Sequence, residues 1–201
     1  MSFDLLVALV AFAAAMAWTP GPNNLMLLTS GVNFGLARTM PHLIGICVGF
    51  PLMIVIVGVG IGQVFISFPL LYTVLKVLSV LYMIWLAWKI ANAGPMKKEA
   101  VAATRPMRFH EAVLFQWVNP KGWAIALTAV AAYTLPAAYT FSLLMIALTF
   151  LVINVPGSFA WVGFGLGLRK LLQDPVRVRL FNVTMAVLLV ASLLPVLWEL
   201  R

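Results

Sequence analysis

Long apolar runs, interrupted by short clusters of proline, glycine and asparagine, set the limits on what this chain can become. The hydrocarbon core of a bilayer is about 30 Å thick, so a helix needs about 20 apolar residues to cross it. Runs of that order lie at 3–36, with an interruption at 19–24, and at 41–63, 70–90, 122–135, 141–168 and 180–198. A further mostly apolar stretch, 109–118, leads into the fourth run. Charged residues make up only 9% of the chain and hydrophobic ones 64%, against the roughly 25% charged residues of a soluble domain. Such a chain cannot cover its own surface with polar groups, and lipid must be the solvent for much of it. Backbone that crosses lipid has to satisfy its own hydrogen bonds. The expected fold is therefore all-α, a polytopic membrane bundle of about six transmembrane helices.

The formal net charge of +8 would suggest nucleic acid as a partner in a soluble protein. Here the positive charges follow the loops instead. Arg38 comes after the first run; Lys89, Lys97, Lys98, Arg105, Arg108 and Lys121 flank the stretch 92–108; Arg169, Lys170, Arg177 and Arg179 follow the fifth run. The intervening loops at 62–69 and 136–140 contain no Lys or Arg. This alternation matches the positive-inside rule. It places the basic loops in the cytoplasm and both termini outside, as in a multi-pass protein of the bacterial inner membrane with no nucleic-acid partner. A second arrangement stays open, in which the first run is a re-entrant hairpin, the N-terminus lies inside and the spans number five. Met1-Ser2-Phe3-Asp4 has no basic start, so the first run is expected to be a retained helix rather than a cleaved signal.

The chain divides into two comparable halves, about 1–91 and 108–201, joined by the basic loop 92–108. Trp18-Thr19-Pro20-Gly21-Pro22-Asn23-Asn24 has a loose counterpart in Trp117-Val118-Asn119-Pro120-Lys121-Gly122-Trp123, and a proline recurs within the following spans at Pro51 and Pro156. Three spans per half would insert the second half upside down relative to the first, the inverted-repeat plan of many secondary transporters.

The two counterpart motifs are the candidate site. Pro20 and Pro22 each remove a backbone donor and clash with the turn before them. The break they make leaves carbonyls exposed on one side and starts a new helix on the other. Asn23 and Asn24 then fall in its first turn, where free N–H groups favour a carboxylate. Carbonyls at the other broken end favour an ammonium, so a zwitterionic amino acid would meet both. A plain structural kink is the other reading of Thr19, Pro20, Gly21, Pro22, Asn23 and Asn24. Asn119 and Pro120 suit the cap and first position of a helix, and Lys121 suits a membrane anchor; the alternative is a second helix terminus facing the first. Asn154 lies deep in the fifth run, where an amide serves as interhelical glue or touches a substrate. Gly21, Gly122 and Gly157 are the candidate flexible points.

Several chemistries lack their residues. No acidic residue lies in mid-span: Asp4, Glu111 and Glu199 are near span ends, and Glu99 and Asp174 are in loops. His42, His110, Asp4 and Glu111 are the titrating groups near span boundaries. Cys47 is the single cysteine, which excludes an intrachain disulfide and a cysteine-based metal site. No phosphate-binding GxxxxGK[ST] loop is present, so ATP hydrolysis by this chain is not expected. No metal, cofactor or enzymatic cluster is expected.

Thr19-Pro20-Gly21-Pro22-Asn23-Asn24 followed by Gly31 and Gly35, together with Asn119-Pro120-Lys121 and the stretch Leu81-Tyr82-Met83-Ile84-Trp85-Leu86-Ala87-Trp88-Lys89, resembles the LysE/RhtB superfamily of bacterial amino-acid exporters. The resemblance covers the whole chain in length and order of segments. It implies efflux of small amino acids across the inner membrane, driven by the proton gradient, with threonine/homoserine, cysteine/O-acetylserine or leucine as the substrate type. The Asn23-Asn24 ending is closer to the cysteine/O-acetylserine branch than to the lysine branch. Partners are then the amino acid and the bilayer, with a homo-oligomer left open. Export of another small solute, or a role as a non-transporting subunit of a larger complex, are the alternatives.

Overall fold

The computed structural model describes residues 1–92, 105–169, 172, 174–194 and 198. Most of the expected basic loop, residues 93–104, lies outside them. The described residues are almost wholly helical, and the all-α membrane bundle expected from the sequence is observed. Helix α1 spans Phe3–Trp18. Ser2 caps it, its hydroxyl accepting from the Leu5 N–H at 3.3 Å, and Asp4 complements the N-terminal dipole. Helix α2, Pro22–Ile56, continues through a π-helical turn at Val57–Ile61 into α3, Gly62–Ser67. After a turn at Phe68, α4 spans Pro69–Ala91. Then come α5, Phe109–Phe115, a 3-10 turn at Gln116–Val118, α6 at Pro120–Tyr133, α7 at Tyr139–Arg169 and α8 at Pro175–Ala191.

Among the described residues three helical stretches are long and apolar enough to cross a membrane: Pro22–Phe65, Pro69–Ala91 and Pro136–Arg169. The first has 44 residues, and a straight helix of that length would extend about 66 Å at about 1.5 Å per residue, more than twice the hydrocarbon core. Gly35 resolves the excess. Its φ of 77° and ψ of 173° lie in a region essentially reserved for glycine, and the chain turns there. The second span therefore begins at Leu36, ahead of the apolar run read at 41–63, and Pro41 lies inside the helix. Arg177 and Arg179, expected in a loop, lie in the early turns of α8, because Asp174 caps that helix by accepting from the Val176 N–H at 2.8 Å.

Helix α7 serves as a ruler for the chain's course. Phe12 meets Phe150, with ring centroids 6.1 Å apart, Ala17 faces Gly157, Gly31 faces Val162 and Gly35 lies beside Arg169. The first segment thus runs in step with α7 without reversing at the break around residue 20. After Gly35 the order inverts: Cys47 meets Ser158, Phe50 meets Phe150 and Gly58 meets Leu143. The α5–α6 segment runs opposite to α1. Its start packs on Gly45 and Gly49, Lys121 reaches Thr19, and the Tyr133 hydroxyl lies 3.4 Å from the Ala8 carbonyl.

Small residues let these backbones touch. A Cβ on Gly31 would clash with the Val162 carbonyl, one on Gly165 with the Leu28 carbonyl, and one on Gly45 with the Phe109 carbonyl. Close approach through glycine is the usual glue of helices that lie in lipid, where no hydrophobic effect drives them together. Around the bundle the apolar side chains face outward: Phe3 is 79% exposed and Leu70 74%. The core proper gathers around Leu9, Phe50, Met53, Trp123, Ile146 and Phe150. A second cluster holds α8 to α4, with Val178, Asn182, Met185, Ala186 and Leu189 forming one buried stripe at helical spacing.

Candidate functional site

The break between α1 and α2 leaves a set of carbonyls to be satisfied. Ala15 accepts from the Thr19 N–H and from the Thr19 hydroxyl, at 3.0 and 2.5 Å. The Ala17 carbonyl accepts from Asn24 Nδ2 at 2.8 Å and from the Trp161 indole at 3.2 Å. The Thr19 carbonyl accepts from Asn24 Nδ2 at 3.0 Å and from Lys121 Nζ at 2.8 Å. Lys121 Nζ also lies 3.4 Å from the carbonyls of both Met16 and Pro20. Ammonium at the broken carbonyl end was the sequence expectation for a substrate. In the structure that ammonium belongs to the protein, supplied by the opposite half of the chain.

Gly21 makes the approach feasible, since a Cβ there would lie 2.6 Å from Lys121 Cδ. On the other side of the break α2 opens with Gly21 as its cap and Pro22 at its first position, and no side chain caps it. The Leu25 N–H is the first to bond back, to Gly21 at 2.9 Å, so the N–H groups of Asn23 and Asn24 lack an intrahelical acceptor. Asn23 pairs with Gln116 through two hydrogen bonds between their side-chain amides, Asn23 Nδ2 donating at 2.8 Å and Gln116 Nε2 donating back at 3.3 Å. Gln116 Nε2 also donates to the Ala112 carbonyl at 2.8 Å.

The second break has the same form. The 3-10 turn at Gln116–Val118 ends α5, and α6 starts with Asn119 as cap and Pro120 first. The Asn119 side chain does not cap the helix. It is 2% exposed and its Oδ1 has no hydrogen-bond partner among the described residues. A buried amide oxygen left in that state is costly.

A cavity of about 50 Å³ lies between the two breaks. Gly21, Pro22, Asn23, Asn24, Asn119, Lys121 and Asn154 line it, and Ile46, Phe50, Ile125, Phe150 and Ser158 complete its walls. Thr19 and Pro20 do not line it; their carbonyls accept from Lys121, and that of Thr19 also from Asn24, while Pro120 is buried at the start of α6. Gly122 borders the cavity, and Gly157 lies against Ala17 beside it. Gln116 is the participant the sequence reading passed over. Its signal was an amide in an apolar stretch three residues before Asn119. Among the described residues no group of three or more His, Cys, Asp or Glu is placed to hold a metal.

The chain is similar to the cysteine/O-acetylserine efflux protein of Escherichia coli strain K12, at 29% identity over 192 residues, covering 94% of this chain and 96% of that protein. The proteins of the same description from Shigella sonnei strain Ss046 and from Escherichia coli O6:K15:H31 match at the same identity and coverage. No solved structure matches. The family model of the LysE type translocators matches residues 14–194, a stretch that contains both breaks, the cavity between them and all of α2 through α8, and this chain belongs to that family.

Proposed function

We propose that this protein is a secondary transporter that exports small neutral amino acids across the bacterial inner membrane, driven by the proton gradient. The observation that carries the reading is the meeting of two helix breaks at one cavity lined by Asn23, Asn24, Asn119, Lys121 and Asn154, with Lys121 of one break bound to the carbonyls of the other. The cavity then has one positive pole, made by the Lys121 ammonium and the uncapped α2 N-terminus, and that pole suits a carboxylate. The Asn119 Oδ1, without a partner among the described residues, offers an acceptor for the substrate's ammonium, and Asn154 lines the same cavity. Ile46, Phe50, Ile125 and Phe150 leave room for a small side chain only. The relatives named as cysteine/O-acetylserine efflux proteins support a substrate of this class.

The opposite courses of the α1–α2 and α5–α6 segments support an inverted repeat of halves 1–91 and 108–201, with the substrate at their interface. In that scheme the two halves rock about the site, and Gly21, Gly122 and Gly157 take up the backbone change.

Amino-acid flux from cells tests the proposal. Cells overexpressing the protein are loaded with dipeptides and every amino acid appearing outside is quantified, with Asn24→Ala as the control. The expected result is selective release of one or a few small amino acids, lost in the variant at unchanged membrane abundance. No release of any amino acid, with the protein present in the membrane, would overturn the amino-acid reading in favour of another solute or a subunit role. Full export by Asn24→Ala would remove Asn24 from the site.

A further inference from the structure

A second, larger cavity of about 760 Å³ opens between the first arm of α2, α4 and the segment leading through α5. His42 is in its wall. The imidazole is 2% exposed, and neither ring nitrogen has a hydrogen-bond partner among the described residues. On the same cavity, the Thr29 hydroxyl is also buried without a partner among the described residues, whereas Ser30 and Thr39 are joined by a hydrogen bond of 2.9 Å between the two arms of α2. A neutral imidazole has one donor and one acceptor nitrogen, and leaving both unused inside a membrane bundle needs an explanation.

The other candidates for moving a proton are committed elsewhere. Among the described acidic residues, Asp4 is in the first turn of α1 and Asp174 caps α8. Glu111 is held by Arg105 through two bonds of 2.5 and 2.6 Å and also accepts from the Arg108 N–H at 2.8 Å. Lys121 is bound to carbonyls. The Cys47 thiol donates to Ser158 at 3.7 Å. His42 alone among the described residues is a titratable side chain that is buried, unpaired and on a cavity.

We infer that His42 is the proton-carrying group of the transport cycle, loaded from one side of the membrane and emptied through this cavity to the other. The inference rests on the proposed proton-driven export. The chemistry is one N–H bond made and later broken, with the proton taken from water on the outer side and returned to water on the cytoplasmic side. His42 is placed to couple that event to substrate. It lies one helical turn before Ile46 and two before Phe50, which wall the substrate cavity, so the separation along α2 is about 6–12 Å. It also lies beside the Ser30–Thr39 bond that ties the two arms of α2, the first of which carries Asn23 and Asn24. An imidazolium donates from both nitrogens and finds no acceptor in the present packing, so loading favours a rearrangement of the arms. The charged and titratable groups around the cavity are Glu111 and Arg105 from the α5 side and Lys89 and Tyr82 from α4. Arg38 lies one turn earlier on α2, and α7 brings Arg169 at one end and Tyr139 at the other.

The test uses the full-length protein in proteoliposomes with the amino acid released most in the cell experiment. Substrate-for-substrate counterflow needs no net proton movement, whereas uptake driven by an imposed pH gradient does. The expected result is that His42→Gln keeps counterflow while losing both gradient-driven transport and substrate-coupled proton movement, read by an internal pH dye. Gradient-driven transport that survives in His42→Gln, or loss of counterflow together with it in both His42→Gln and His42→Asn, would overturn the assignment. Wild-type protein supplies a measurement independent of folding. Counterflow without coupled proton movement overturns the role of His42 and leaves the transporter standing, whereas absence of counterflow in the wild type overturns the transport reading itself.

Discussion

Lys121 shows how far a residue's role can be read from its position in a sequence. Its depth at the start of the fourth span was legible, and so was the pairing of its motif with the one around Pro20. Its direction was not, because a lysine stem at a helix start reaches outward to water or inward with equal ease. What turns it inward is the absence of a side chain at Gly21, a hundred residues away in sequence. Asn23 and Asn24 were placed correctly in a helix's first turn, since two nearby prolines leave few other arrangements. Gln116 was passed over because a single amide in an apolar stretch carries no spacing signal, and only the fold brings it to Asn23. The proposed pole at Lys121 gives a direct prediction. Lys121→Met keeps the stem and removes the charge, so a charge-assisted contact to the carboxylate worth about 1.5–3 kcal/mol is lost. The export rate per transporter at low internal substrate should fall by roughly 10- to 150-fold, from the conversion of about 1.4 kcal/mol per decade. Cell flux normalised to membrane abundance reads this, and an unchanged rate would show that the Lys121 charge does not act on the substrate.

At the scale of the element, the apolar runs located α4, α6 and α7 closely, because prolines mark their starts: Pro69 and Pro120 open α4 and α6, and Pro136 opens the 3-10 turn that leads into α7. The turn between the first two spans was not legible in the same way. Gly31 and Gly35 have a spacing that suggests helix packing, and Gly31 does pack on Val162, but Gly35 does different work. Its positive φ makes the hinge between the two arms of α2. Spacing alone cannot separate a packing glycine from one with a special conformation, since both are called for by the missing side chain. The distinction is testable by Gly35→Ala. A non-glycine residue in that region costs about 1–3 kcal/mol, with Arg169 Nη1 also 3.1 Å from the added carbon. The variant should unfold at lower temperature in detergent than the wild type, measured by thermal denaturation of the purified protein. A wild-type melting temperature would mean that the turn relaxes at no cost.

At the scale of the whole molecule, the distribution of positive charge and the course of the chain are independent observations that agree. Arg38, Lys89, Arg105 and Arg169 all fall at the end of the bundle marked by Gly35. The turn at Phe68 and the 3-10 turn at Pro136–Ala138 lie at the other end, where the Tyr139 hydroxyl meets the Gly58 carbonyl at 2.7 Å. The number of crossings was ambiguous in the sequence because a break inside a long apolar run fits a kinked span and a re-entrant hairpin equally. The ladder of contacts along α7 separates them physically: a hairpin would bring residues 30–35 back toward Phe150, whereas Gly31 faces Val162 and Gly35 lies beside Arg169. The consequence is a sidedness that labelling can read. Cys47 is 4% exposed, and Cys47→Ser removes its thiol as background. Into that protein Ser2→Cys, Arg38→Cys and Phe68→Cys are introduced one at a time, and intact cells are treated with a membrane-impermeant thiol reagent. Residues 2 and 68 should label from outside, and residue 38 only after the inner membrane is opened. Labelling of residue 2 only from inside would restore the hairpin and give five spans. Protection of residue 68 together with outside labelling of residue 38 would invert the bundle, and the carboxylate pole at Lys121 would then have to be loaded from the opposite face.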